Sequence, residues 1–150
     1  MADATTYTVH VRVIQTEPSS WFSVVEKTVW KYANGGTWSN CNGEHTLTMG
    51  GSGTSGALRL KNPQGEYFLV VLGIHNYVRW CDIVPDLTSS ETGVDTHPKY
   101  YATPVHQKSH DMLGKQLANL EVTSAKGARI AVNYYKEEDS TKWATITIDV

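Results

Sequence analysis

Residues 7–14 read Tyr7-Thr8-Val9-His10-Val11-Arg12-Val13-Ile14, so that Tyr7, Val9, Val11 and Val13 alternate with Thr8, His10, Arg12 and Ile14. Successive side chains of an extended chain point to opposite faces, and this period of two therefore predicts a strand with one face in a core. The rhythm spreads outward from there. Residues 21–32 are dense in aromatic and β-branched types and read as a second strand or a pair of strands. Residues 44–49 and 57–61 alternate again, as do 120–124, 128–135 and 143–150. Residues 66–73 are apolar enough for a strand buried on both faces, and 74–84 continue as a further strand or extended aromatic segment. Turn chemistry separates these runs at Asn34-Gly35-Gly36, Asn62-Pro63-Gln64-Gly65, Ala125-Lys126-Gly127 and residues 137–141. Only the connection 85–118 departs from the pattern. It is polar, holds Pro98 and Pro104, and has room for one or two short helices, with 88–93 and 105–116 as candidates. Many short strands, one helical insertion and no internal repeat predict a mainly β fold, an antiparallel β-sandwich, in a single domain spanning 1–150.

A chain of 150 residues is long enough for a real hydrophobic core. Its 13 Lys+Arg against 15 Asp+Glu leave a formal net charge of −2, which argues against a nucleic-acid partner and gives no reason to expect an acidic membrane. Met1-Ala2-Asp3-Ala4 has neither the basic start nor the apolar run of a signal peptide, no stretch approaches the ~20 apolar residues of a membrane helix, and no Asn-x-Ser/Thr sequon occurs. A cytoplasmic protein is expected. The two cysteines, Cys41 and Cys81, make no disulfide framework, and both are expected to be reduced.

Four local features bear on chemistry. Gly50-Gly51-Ser52-Gly53-Thr54-Ser55-Gly56 lacks the Gly-Lys-Ser/Thr ending of a phosphate loop, and strands flank it too closely for a disordered linker. It is either a plain turn or a ligand loop whose bare backbone and Ser52 hydroxyl suit a hydroxyl-rich molecule. His75-Asn76-Tyr77, followed by Arg79-Trp80-Cys81-Asp82, supplies hydroxyl-reading donors and acceptors. It also supplies two rings, Tyr77 and Trp80, for the apolar face of a sugar, although packing is the commoner fate of any single aromatic. His106 and His110 would share one face of a helix, but no Glu follows the first and no third ligand stands at a recognisable spacing, so no metal site is expected. Glu91, Asp95 and Asp111 scatter through the polar connection, whereas a glycosidase needs two carboxylates flanking one bond, and no Gly-x-Ser-x-Gly motif is present. The residues favour a binding protein without a cofactor over an enzyme.

Three stretches carry a more specific message. They are Val25-Glu26-Lys27-Thr28-Val29-Trp30-Lys31-Tyr32-Ala33-Asn34-Gly35-Gly36-Thr37-Trp38, then Leu47-Thr48-Met49 running into the glycine-rich segment, then Gly73-Ile74-His75-Asn76-Tyr77-Val78-Arg79-Trp80-Cys81-Asp82-Ile83-Val84. Together they resemble ordered blocks of the fungal fruit-body lectins, the family of the common edible mushroom lectin. A weaker similarity runs through Tyr100-Tyr101 and Gln116-Leu117 to the end. The resemblance implies an actinoporin-like β-sandwich, usually assembled as a tetramer, that binds glycans on glycoproteins or cell surfaces, with a defensive role. It implies two sugar sites per protomer. The first, for galactose or GalNAc-type ligands and notably Galβ1-3GalNAc (the T-antigen), falls on Ala33, Ser52, Gly53, His75 and Asn76, all retained.

The second site, for N-acetylglucosamine, falls on Asp82 and Ile83, which match, and on Pro85, His106 and Leu120, where the family has Thr, Arg and Tyr. These replacements remove a hydroxyl, a permanent cation and a phenol. Hydrogen bonds worth roughly 0.5–1.5 kcal/mol each weigh heavily in a millimolar site totalling about 4 kcal/mol. The second site is therefore expected to be weak, altered or absent. The fold relationship also raises a pore-forming membrane protein as the alternative. Such a protein needs an N-terminal amphipathic segment able to leave the sandwich, and only a few residues precede the strand beginning near Thr6, so membrane insertion is not expected.

Overall fold

The computed structural model describes residues 5–30 and 35–150. The alternating stretch at the start becomes strand β1 (Tyr7–Gln15), with Tyr7, Val9 and Val11 buried and Val13 packed at the edge of the same core. There follow β2 (Ser23–Trp30), β3 (Gly36–Cys41), β4 (Glu44–Met49), β5 (Ser55–Lys61), β6 (Tyr67–His75) and β7 (Val78–Leu87). After two short helices, α1 (Gly93–Thr96) and α2 (Gln107–Lys115), the chain closes with β8 (Asn119–Thr123), β9 (Arg129–Glu138) and β10 (Thr141–Asp149). The strands form a six-stranded sheet in the order β3-β4-β1-β10-β9-β8 and a four-stranded sheet in the order β2-β5-β6-β7. Leu47, Leu58, Leu60, Val70, Leu72, Ile130 and Ile146 fill the space between them, which makes the expected β-sandwich.

The sandwich is not wholly antiparallel. β1 runs parallel to β10, with Thr8 opposite Thr141 and Gln15 opposite Ile148. Nearly the whole chain separates the two strands, so no tight turn dictates their relative direction.

β6 is buried on both faces, as its composition predicts. Phe68, Val70, Leu72 and Ile74 face the other sheet, while Leu69 and Val71 join Ala57, Trp80, Leu87, Tyr100 and Leu113 in a second apolar cluster. The helical connection lies over this outer face through Tyr100 and Leu113. Of the two helix candidates, 105–116 holds as α2, which stops where Gln116 turns left-handed at φ 50°. Residues 88–92 do not form a helix. Their side chains satisfy their own backbone, with Glu91 accepting from the Thr88 N–H at 2.9 Å, and no apolar stripe rewards helix formation. The helix starts one step later, at Gly93, where the Thr92 hydroxyl accepts from the Asp95 N–H and the Glu26 carboxylate accepts from the Gly93 and Val94 N–H groups.

β3 is absent from the strand pattern read above. Asn42 and Gly43, at φ 51° and 78°, turn β3 into β4, so an Asn-Gly hairpin signal was there to be used. Cys41 is exposed and Cys81 buried, both as free thiols, and burial pushes the Cys81 thiol up to about 12.

Candidate functional site

The β6–β7 hairpin is the anchor of the site. His75 pairs with Val78, so the loop has two residues, Asn76 and Tyr77, at φ 49° and 67°. Both positions of such a loop require positive φ, which Asn tolerates and a bulky ring does not, at a cost of about 1–2 kcal/mol. The Tyr77 N–H donates to Ser52 Oγ at 3.0 Å, tying the hairpin tip to the glycine-rich turn. The Gly53 N–H donates to the Ile74 carbonyl at 2.8 Å, and the Ile74 N–H donates to the Thr54 carbonyl at 3.0 Å. Gly53 sits at φ 93°, where a side chain would be strained. From the other side, Gln116 Nε2 donates to the His75 carbonyl at 2.8 Å.

These bonds bring Ser52, Gly53, His75 and Asn76 to the wall of one cavity of about 360 Å³. Ala33, the remaining position expected there, lies outside the described residues. The cavity is completed by Trp30, Tyr77, Tyr101, His110 and Leu113. Tyr77 keeps 65 % of its surface exposed, whereas Trp80 is fully buried and packs against Tyr100, so only the first of the two candidate rings is available to a ligand. Trp30, Tyr101 and His110 escaped sequence reading as wall residues. Trp30 ends β2 and Tyr101 closes a 3-10 turn (His97–Tyr101), and nothing in their spacing announces that they meet.

A hydroxyl, an amide and two imidazoles supply polar groups to the cavity wall. Burial, assisted by the charge of His110, holds His75 below the ordinary histidine value. His110 Nδ1 stands 3.0 Å from the Tyr100 carbonyl, an acceptor, and so must carry a proton there. Ser52 Oγ accepts from Tyr77 and keeps its own proton to donate. No described lining residue is a carboxylate.

Behind the aromatic wall runs a buried relay. Trp30 and Tyr101 stack at 4.4 Å between centroids and 8° between planes. The Tyr101 hydroxyl lies 2.6 Å from Ser55 Oγ, which lies 2.7 Å from His97 Nε2, and His97 Nδ1 lies 2.8 Å from Thr28 Oγ1. His97 is only 2 % exposed, and burial pushes it down to about 4, while burial pushes Tyr101 up to about 12. At neutral pH every member is therefore uncharged and can both donate and accept. The relay fixes the ring that Trp30 stacks on.

The second-site positions are arranged differently. Asp82 and Ile83 point to opposite faces of β7. Ile83 enters the core between the sheets, and Asp82 accepts from the Tyr100 hydroxyl at 2.5 Å. Burial raises the Asp82 carboxyl and the Tyr100 bond opposes it. Leu120 packs against the main core, and Pro85 is half-buried. Among the described residues the cavity beside His106 is lined by 104–109, without the other four. Among the described residues no His, Cys, Asp or Glu cluster could hold a metal ion. Glu91 serves a turn, and Asp111 accepts from Gln107 within α2.

Residues 5–146 match the family described as fungal fruit body lectin. The chain is 47 % identical to Boletus edulis lectin over 142 residues, covering 94 % of this chain and 97 % of that protein. The crystal structure of a triply substituted Xerocomus chrysenteron lectin superposes with a TM-score of 0.91 at 45 % identity, covering 98 % of this chain and all of the other. The lipid binding protein Nakanori shares the fold alone, with a TM-score of 0.61 at 8 % identity over 96 % of this chain and 71 % of its own.

Proposed function

The chain belongs to the fungal fruit body lectin family, whose members bind carbohydrate, and from that premise we propose that its cavity at Ser52, Gly53, His75 and Asn76 takes galactose or GalNAc-type glycans, notably Galβ1-3GalNAc. The observation that carries this reading is the convergence of a hydroxyl, an amide and an imidazole on one 360 Å³ cavity bordered by aromatic rings. A pyranose has an apolar face that stacks on a ring and an edge of hydroxyls that seek donors and acceptors. The Asn76 amide offers both at the hairpin tip, where it can read an axial hydroxyl. An epimer that misplaces this hydroxyl leaves buried polar groups unpaired and is rejected.

Binding is reversible and metal-independent. One shallow site is intrinsically weak, so agglutinating strength comes from several sites presented together by a homo-oligomer, a tetramer in this proposal. The second, N-acetylglucosamine-type site is weakened or lost through Pro85, His106 and Leu120. Calorimetric titration with Galβ1-3GalNAc and, separately, with N-acetylglucosamine tests both parts. Binding of the disaccharide alone supports them. Binding of both overturns the loss of the second site, and binding of neither overturns the sugar reading of the cavity.

A further inference from the structure

A second cavity, of about 440 Å³, is also lined by Trp30. Val29, Trp30, Val94 and Pro98 form its largely apolar walls, and among the described residues Thr28 and His97 add polar side chains to the lining. Both are already committed. Thr28 Oγ1 faces His97 Nδ1, and His97 Nε2 faces Ser55 Oγ. The nearby N–H groups of Gly93 and Val94 are taken by the Glu26 carboxylate. A second hexose seated here would find almost nothing to replace the water on its hydroxyls. A hydrocarbon group would lose nothing and would bury apolar surface.

The two cavities share Trp30 as a wall. The Trp30–Tyr101 stack and the Ser55 hydroxyl, which touches Tyr101 of the first and His97 of the second, connect their walls. Among the described residues Trp30 is the one that lines both cavities, so a substituent on a sugar in the first cavity can reach the second past this ring. We infer that the groove receives an apolar aglycone, the hydrocarbon attached through the glycosidic oxygen to the bound sugar. The inference rests on the galactose reading of the first cavity, and it makes the protein a reader of what carries the glycan as well as of the glycan.

The test compares methyl, hexyl and tri(ethylene glycol) β-galactosides as competitors of Galβ1-3GalNAc, on the wild-type protein and on Val94→Arg. Val94 is 67 % exposed, so this substitution fills the groove mouth with charge without opening the core. Each methylene is worth about fourfold in affinity at full burial, so burying two of the five extra carbons of the hexyl chain gives about 15-fold. The expected result is a hexyl galactoside at least tenfold tighter than the methyl one, a glycol compound no better than methyl, and loss of the hexyl gain in Val94→Arg with methyl affinity and Tm retained. Hexyl and methyl affinities within twofold of each other, or a gain that survives Val94→Arg, overturn the groove while leaving the sugar site standing. Failure of the disaccharide itself to bind the wild type overturns the premise and the groove together.

Discussion

Acidification of the buried His97 offers the sharpest check on the relay behind the site. In the folded protein burial lowers this imidazole from 6.5 to about 4. Its folded pKa lies below its unfolded one, so the stability it contributes is fully present above pH 6.5 and is lost as the pH falls towards 4. At about 1.36 kcal/mol per pH unit, that interval corresponds to roughly 3 kcal/mol, a large share of the 5–15 kcal/mol typical of a domain. A protonated ring must donate at both nitrogens. Ser55 Oγ and Thr28 Oγ1 can both accept from it, and Ser55 can still donate to the Tyr101 oxygen, so the cost lies in burying the charge rather than in a lost hydrogen bond. Urea unfolding followed by tryptophan fluorescence, repeated at half-unit steps from pH 7.5 to 4, measures the slope. His45 and His75 are also lowered, by burial first, and lean the same way, so His97 is isolated by subtracting the curve of His97→Asn. The variant is less stable at pH 7, where hydroxyls lose their partner, but its stability falls less steeply with acid. Parallel slopes for the two proteins would refute the reasoning.

Other outcomes follow from the same geometry. Asn76→Gly keeps a residue that accepts φ 49° while deleting the amide, so calorimetry should show at least a tenfold loss of galactoside affinity with Tm close to wild type. Gly73→Ala places a Cβ 2.6 Å from both Ser55 Cβ and Trp80 Nε1; overpacking of that kind costs about 2 kcal/mol, and calorimetric melting should show Tm lower by roughly 4–8 °C. Tyr134→Phe removes the buried hydroxyl that donates to the Trp80 carbonyl at 3.0 Å, which costs about 1 kcal/mol in chemical denaturation and leaves sugar affinity unchanged, because the bond lies outside the cavity wall.

Much of the fold was legible in one dimension, because a sheet writes its inside and outside into every second residue. Tyr7, Val9 and Val11, the doubly buried β6, and the turns at Asn62–Gly65 and Ala125–Gly127 follow from local chemistry and were read from it. The ordered blocks around Val25, Leu47 and Gly73 likewise carry the family resemblance, and they contain Ser52, Gly53, His75 and Asn76, which the structure brings to one cavity. What local chemistry could not state was who sits across from whom. The parallel pairing of β1 with β10, the laying of the helical connection over β6, and the meeting of Trp30 with Tyr101 join residues far apart in the chain. Such contacts depend on the packing of whole layers. The same holds for Trp80, which reads like Tyr77 in sequence but is sealed under Tyr100, and for His97, whose role comes from Thr28 and Ser55 on two separate strands, β2 and β5. Alternation along a strand decides which way a side chain faces; only the assembled sandwich decides what it meets there.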